Sequence, residues 1–496
     1  MKIGIVGAGF AGLSSAKVLR QLGHDVVVWE KAPDIGGVWS ATRRYPGLRT
    51  QNDKGTYALS DMPMPADYPE WPSGAQVQSY LQAYAERFEL LPFVHLSTEV
   101  TRAAPAEGGG WDVETDAETT HVDHLVLASG VFSRPFVPSI DGVDLFERLG
   151  GRVLAASDWH SHEQVRGKHT IVLGYGKSAC DITVEIATVA ASTTVVAREL
   201  LWKMPRKLRG ILNYKFLMLT RMGEGLFRYR TVGGPEKLLH ARDSTLAKQM
   251  LGSVEKVTTG QLGLAGLDLV PQGRFSDIAR STVSLATEGF FEGVTDGRIT
   301  VKRDTVVSRF VDVGGAPHAE LSTGERIRAD VVVAATGWTQ DLPFLPGDVV
   351  DRLIDHNGDY LLHRQIHPID VPDLSFAGYN SSFFSPLSAE VSAIWIGSLL
   401  GGNHTLPGRE EMHRQRRETL DWMRERTRGA HARGTNIIPF SVKNIDEVLS
   451  DVGLGVGTLT RAKQWLLPID PGDYRHVAPA LARRLQATAQ VHGTRA

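Results

Sequence analysis

An α/β fold made of two doubly wound units, the second interrupted by a helical insertion, is what this sequence predicts. Three observations carry the prediction. A short apolar run that ends in a glycine-rich turn occurs twice, at residues 3–12 and 170–179. Each is followed by a helical stretch and a second apolar run, residues 25–30 and 193–197. Apolar runs ending in small-residue turns recur at residues 125–130 and 331–337, where each unit needs a further strand. Buried strand, turn, helix, buried strand is the unit from which parallel sheets are wound.

The first turn, Gly7-Ala8-Gly9-Phe10-Ala11-Gly12, gives its glycines separate tasks. Gly7 permits the tight turn, Gly9 lets a pyrophosphate approach backbone N–H groups at the helix start, and Gly12 lets helix and strand pack closely. Glu30, about twenty residues on, stands where a carboxylate accepts hydrogen bonds from a ribose diol. A tight βα turn alone would not need strand, helix and acid in register, so the unit is Rossmann-like and dinucleotide-binding. Ile35-Gly36-Gly37-Val38-Trp39 follows, and its paired glycines leave room for a bulky flat group beyond the pyrophosphate. Gly37, Val38 and Trp39 therefore point to FAD in this first site. Residues 61–72 are proline-rich and read as a surface loop, and 76–88 as a helix with Val77, Tyr80, Leu81 and Tyr84 on one face. Residues 111–113 and 124–130 read as strands. Pro135 and Pro138 make residues 134–138 an extended crossover. The first part of the FAD-binding domain is accordingly residues 1–145.

Residues 168–173 form the next strand, and Gly174-Tyr175-Gly176-Lys177-Ser178-Ala179 the second turn. Two such turns in one chain imply two different cofactors. The partner strand ends in Arg198 where the first ends in Glu30. A guanidinium there suits a ribose 2′-phosphate through paired charge-assisted hydrogen bonds, which favours NADPH over NADH. Lys203, Arg206 and Lys207 support that choice and Glu199 weakens it; the alternative is that all are a solvated basic face. Residues 203–290 interrupt the domain, with 212–219 expected to be helical, and serve either as a lid or as an ordinary packed insertion. Sheet resumes at 299–302, 306–313 and 329–338, the last carrying Thr336 and Gly337 in its turn. The NADPH-binding domain is thus residues 146–335. Residues 336–496 hold the second part of the FAD-binding domain and the tail: a closing strand at 373–379, its helix at 389–400, and a charged, exposed helix at 409–428. A tail with Pro468, Pro471 and Pro479 is expected to wrap the surface.

At 496 residues the chain exceeds one ordinary core. A net charge of -2 offers no case for nucleic acid or an anionic membrane. The single cysteine, Cys180, excludes an intrachain disulfide and a CxxC pair, and with it a disulfide reductase; its simplest role is a small buried residue in the second nucleotide helix. No signal peptide or apolar run of membrane-spanning length stands out, so a cytoplasmic protein is expected. The oligomeric state stays open, a homodimer included. None of the seventeen histidines shows ligand spacing; His363 and His367 precede Pro368 in what reads as an extended loop, and no metal site is expected.

With both turns in place the chain resembles the class B flavoprotein monooxygenases, which include flavin-containing monooxygenases, Baeyer-Villiger monooxygenases and microbial N-hydroxylases. The resemblance covers most of residues 1–400 and rests on residues 7–12, 36–39, 45–52, 174–181, 334–337 and 389–395. Tyr45-Pro46-Gly47-Leu48-Arg49 followed by Ser60-Asp61-Met62-Pro63-Met64-Pro65 looks more like the flavin-containing branch. The resemblance implies bound FAD, reduction by NADPH, and oxygen addition giving a C4a-hydroperoxide that oxygenates nitrogen or sulfur in a small organic substrate. It also implies catalytic roles for Gln51, standing where that branch carries an asparagine and the Baeyer-Villiger branch an aspartate, and for its neighbour Asn52. Gln51 cannot ionise but can donate an amide hydrogen bond. The family's linker signature is half kept: Leu149, Gly151, Ala155 and Trp159 stand where phenylalanine, glycine, histidine and an aromatic are expected, with His160 and His162 nearby. No residue matches the Baeyer-Villiger arginine, so ketone oxygenation is the second choice and a dinucleotide carrier without turnover the third.

Overall fold

The computed structural model describes residues 1–241, 245–276, 284–380, 383–427 and 442–493. Its N-terminal half begins with β1 (Lys2–Val6), α1 (Phe10–Gln21) and β2 (Asp25–Trp29), then α2 (Gly74–Arg87) and β3 (Val94–His95). An antiparallel meander follows, β4 (Val100–Pro105), β5 (Trp111–Thr115) and β6 (Thr119–Val122), and leads into β7 (His124–Leu127). β8 (Arg134–Pro135), α3 (Val143–Arg148) and β9 (Arg152–Ala155) carry the chain to a second unit of the same plan. That unit has β10 (His169–Leu173), α4 (Lys177–Ile186) and β11 (Ser192–Ala197). The insertion holds β12 (Lys207–Leu208), β13 (Leu212–Asn213), α5 (Lys215–Met218), α6 (Arg221–Gly225), α7 (Glu236–Leu239), α8 (Leu246–Gln261) and α9 (Phe290–Thr295). β14 (Thr300–Arg303) precedes a second meander, β15 (Val307–Val313), β16 (Ala316–Leu321) and β17 (Arg326–Arg328), and then β18 (Val331–Ala334).

The two units therefore repeat more than the glycine turn. Strands pair in the order β22-β7-β1-β2-β3, where β22 is Leu374–Phe376, and β14-β11-β10-β18-β9, each pair parallel. Both sheets are buried on two faces, which is why their strands read as unbroken apolar runs. In each, the strand before the glycine turn is central, so its C-terminal end opens a crevice.

After β18 come β19 (Trp338–Thr339), paired with β8, then α10 (Gly347–Leu353) and the hairpin β20 (Leu362–His363) and β21 (His367–Pro368). The helix expected from 389 starts earlier: α11 is Ser385–Leu400, mainly apolar with no polar face and buried almost throughout, as a helix enclosed by others must be. α12 (Arg409–Thr427) is the charged helix, Arg428 lying outside the described residues. The tail departs from expectation. It forms α13 (Val442–Val452), α14 (Thr458–Leu466) and α15 (Val477–Gly493), and Ile445, Leu449, Ile469 and Leu481 are fully enclosed in the core beside α11. Its prolines punctuate helices: Pro471 starts a 3-10 turn and Pro479 lies in the first turn of α15, where a missing N–H costs nothing. The expected helix at 212–219 is likewise corrected: Leu212–Asn213 is the second strand of a hairpin, and only Lys215–Met218 is helical. Residues 242–244 and 277–283 of the insertion lie outside the described residues.

Candidate functional site

Both glycine turns use the same device. Gly7 has φ +108° and Gly174 φ +114°, and a Cβ on either would press on a neighbouring strand's end, 2.7 Å from the Ala128 oxygen and 2.5 Å from the Ala335 oxygen. Their N–H groups donate to Trp29 O at 2.7 Å and Val196 O at 2.9 Å, locking each turn to the second strand. The third positions differ. A Cβ on Gly12 would collide with the Gly7 carbonyl, whereas the second turn accommodates Ala179.

The middle glycines have another explanation. Gly9 (φ -84°) and Gly176 (φ -70°) adopt ordinary backbone. A Cβ on Gly9 would stand in normal contact, 3.5 Å from Gly37, and one on Gly176 would meet nothing within 4 Å. No side chain caps α1 or α4. Backbone left bare without a steric reason, at an uncapped helix start, suits close approach of an anion. Both turns thus fit a dinucleotide.

Around the first turn, the Glu30 carboxylate accepts from Ala8 N (2.7 Å) and Ala32 N (2.9 Å), each oxygen keeping a lone pair to spare. Gly36 N donates to Ala8 O, and Gly37–Trp39 forms a 3-10 turn with Val38 half-buried and Trp39 buried. Arg43, which the sequence did not single out, reaches into this corner. It donates to Phe132 O and lies 5.3 Å over the Trp338 ring, and burial pulls its guanidinium pKa down against the opposing charge of Glu30. Trp338 follows the turn containing Thr336, whose hydroxyl donates to Phe136 O, and the exposed Gly337 (φ +103°). Arg43 therefore ties the corner beside the first turn to the β8/β19 crossover.

At the second turn, the Lys177 ammonium is held by Asp181 and Thr287, and Ser178 is half-buried. Arg198 is exposed and forms no ion pair among the described residues, at the strand end equivalent to that of Glu30. Lys203 does not join it. Its ammonium is enclosed, donating to Tyr175 O (2.6 Å) and Ser284 Oγ (2.8 Å), and burial lowers its pKa. Arg206 lies over Trp71, 4.7 Å from the ring, so of the three supporting cations only Lys207 is exposed with no ion pair among the described residues. Cys180 is buried in α4, and burial raises its thiol pKa.

The loop from Tyr45 to Asp53 joins the two units. The Tyr45 hydroxyl donates to Asp181 at 3.4 Å, and Gly47 (φ +77°) is packed against Glu185, so the loop lies directly on α4. Glu185 also holds His162. Ala155 remains at the end of β9 and His160 is exposed, so neither histidine replaces the one absent from the linker. Asn52 is buried and donates from Nδ2 to Phe383 O (2.6 Å), tying the loop to the entry of α11. Gln51 is half-buried at the insertion: its backbone oxygen accepts from the Tyr214 hydroxyl (2.7 Å) and its Oε1 from Leu285 N (3.4 Å). Asp53, buried, is committed to Gly55 N, Thr56 and Lys215. These insertion contacts carry no local signature, since they join residues more than 150 apart in sequence. The histidines His363 and His367 face each other across the β20/β21 hairpin.

Residues 1–234 match the family model described as flavin-binding monooxygenase-like. The chain is 30% identical over 348 residues to the probable indole-3-pyruvate monooxygenase YUCCA8 of Arabidopsis thaliana, covering 68% of this chain and 75% of that protein. Among solved structures it is similar to S-allyl-L-cysteine S-oxygenase from Allium sativum, with a TM-score of 0.63, 18% identity, and coverage of 100% of this chain and 99% of that one. It is also similar to cyclohexanone monooxygenase from Rhodococcus sp. Phi1 bound to NADP+, with a TM-score of 0.67, 18% identity, and coverage of 91% and 97%.

Proposed function

Because this chain belongs to the flavin-binding monooxygenase-like family and is a flavin-dependent monooxygenase, we propose that it holds FAD at the first glycine turn and NADPH at the second, in two Rossmann-like domains. Its reaction transfers one oxygen atom of O2 to a nitrogen or sulfur centre of a small organic molecule. Bound flavin, reduced by bound nicotinamide, supplies the oxygen chemistry, and the chain supplies placement and exclusion of water. Gly7, Gly9, Gly12 and the first turn of α1 receive one pyrophosphate, Glu30 a ribose, and residues 37–39 the wall beyond. Gly174, Gly176 and Ser178 receive the other pyrophosphate, and Arg198 the 2′-phosphate. Lys177 orders α4 through Asp181, and Thr336 and Gly337 shape the crossover between the units. The 45–53 loop touches both units, so Gln51 and Asn52 sit where the reactive rings would meet.

The observation that carries the choice of chemistry is the neutral Gln51 with Asp53 already engaged by Lys215. The loop then offers amide donors and no free carboxylate to orient an arginine, a setting that supports attack by a nucleophilic amine or thioether over attack on a ketone. The experiment is product analysis: purified enzyme with NADPH and O2 is offered tertiary amines, thioethers and cyclic ketones, and products are identified by mass spectrometry. N-oxides or sulfoxides are expected. Lactones or esters as main products would replace this reading by a Baeyer-Villiger one.

A further inference from the structure

The Gln51 amide is gripped from one side only, and by the insertion. Leu285 N is a donor with no acceptor capacity, so the atom facing it at 3.4 Å is Oε1; the turned-over amide would set two donors against each other. That leaves Nε2 pointing away, with no partner among the described residues. The backbone carbonyl of the same residue accepts from Tyr214, whose ring is completely enclosed and whose own N–H donates to Arg206 O. Tyr214 is flanked by two other contacts, Asn213 Nδ2 to Glu70 of the 61–72 stretch at 2.6 Å and Lys215 Nζ to Asp53 at 3.2 Å. Only Tyr214 reaches Gln51 itself. Leu285 in turn is held to the insertion by the bridge with Met204, whose N–H donates to Ser284 O at 2.9 Å.

Resting on the role of Gln51 above, we propose that Tyr214 is a positioning residue: with the Leu285 N–H it fixes the Gln51 peptide and amide so that a hydrogen-bond donor, and not an acceptor, is presented to the reacting oxygen. The insertion is therefore part of the site, and its loosening frees the amide to turn over.

The test compares Tyr214→Phe, Asn213→Ala and Gln51→Ala with the parent enzyme. Hydrogen exchange at the Leu285 amide is read on flavin-free protein, and the ratio of hydrogen peroxide released to product formed on the holoenzyme. Phenylalanine fills the same ring space, so Tyr214→Phe keeps its thermal midpoint within a few degrees. Loss of one net hydrogen bond speeds Leu285 exchange about fivefold. The peroxide ratio rises several-fold with the KM for NADPH unchanged. Asn213→Ala, which cuts a pin that does not touch Gln51, leaves both readouts at parent values. Parent-like exchange in Tyr214→Phe overturns the proposal, as does an equal effect of Asn213→Ala. If Gln51→Ala raises the peroxide ratio and Tyr214→Phe does not, this inference fails while the role of Gln51 stands. If Gln51→Ala changes nothing, the role of Gln51 fails, and the proposal with it, whatever the exchange shows.

Discussion

Arg198 and Glu30 end equivalent strands with opposite charges, and the proposed choice of NADPH for the second turn rests on that exchange. Arg198→Ala should raise the KM for NADPH on the order of tenfold, the loss of a charge-assisted pair, and leave that for NADH nearly unchanged. Steady-state kinetics with both cofactors decide it; equal effects would remove Arg198 from 2′-phosphate binding. Both residues were visible in the sequence because the turn, strand and terminal residue follow one another. Lys203 shows the opposite case. It read as part of a basic face, but its ammonium is enclosed against Tyr175 O and Ser284, and no neighbour in sequence announces a contact 81 residues away. Arg43 is hidden in the sequence for the same reason, its partners Phe132 and Trp338 being remote.

The two turns differ where close packing is required. Gly12→Ala would drive a methyl into the Gly7 carbonyl, so it should destabilise the protein by about 1–3 kcal/mol and purify with little flavin. Ala179→Gly, at the roomier second turn, should keep full flavin content. Absorbance of the purified variants and urea unfolding test both; a flavin-replete Gly12→Ala protein would refute the assignment of close packing. Periodicity revealed the parallel strands well, because burial on both faces makes them continuous apolar runs. It conceals the C-terminal helices, where prolines that begin helical segments suggest a tail wrapping the surface. The apolar face of α13 buries Ile445, Val448 and Leu449 against α11, and only tertiary packing makes that helix part of the core.

Seen whole, the molecule is two similar wound sheets joined by the β8/β19 crossover, with α11 and the C-terminal helices packed into the core and an insertion reaching back to the 45–53 loop. This packing buries ionisable groups, with a consequence for pH. Burial holds the His363 and His367 imidazoles down to about 4 and His124 down to about 3. Each is neutral in the fold, while the unfolded chain takes up a proton below its ordinary pKa of about 6.5. Stability is therefore lost as pH falls from about 6.5 toward 4, at up to about 1.4 kcal/mol per pH unit for each histidine. Glu224, buried and accepting from Val442 N and Lys443 N, is raised to about 8 and acts with the opposite sign between 4.5 and 8. Burial also lowers His24 and His404 and raises Glu390, so five histidines stand against two carboxyls; the urea midpoint should be clearly lower at pH 5 than at pH 7, and a flat profile would contradict the neutral histidines. Two nucleotides meeting in one chain must exchange a hydride there. Anaerobic titration of the purified flavoprotein with NADPH should bleach the oxidised-flavin band completely at one equivalent per chain, with reoxidation on admitting O2. A chain that carries no flavin, or a flavin that stays oxidised with NADPH in excess, would contradict it.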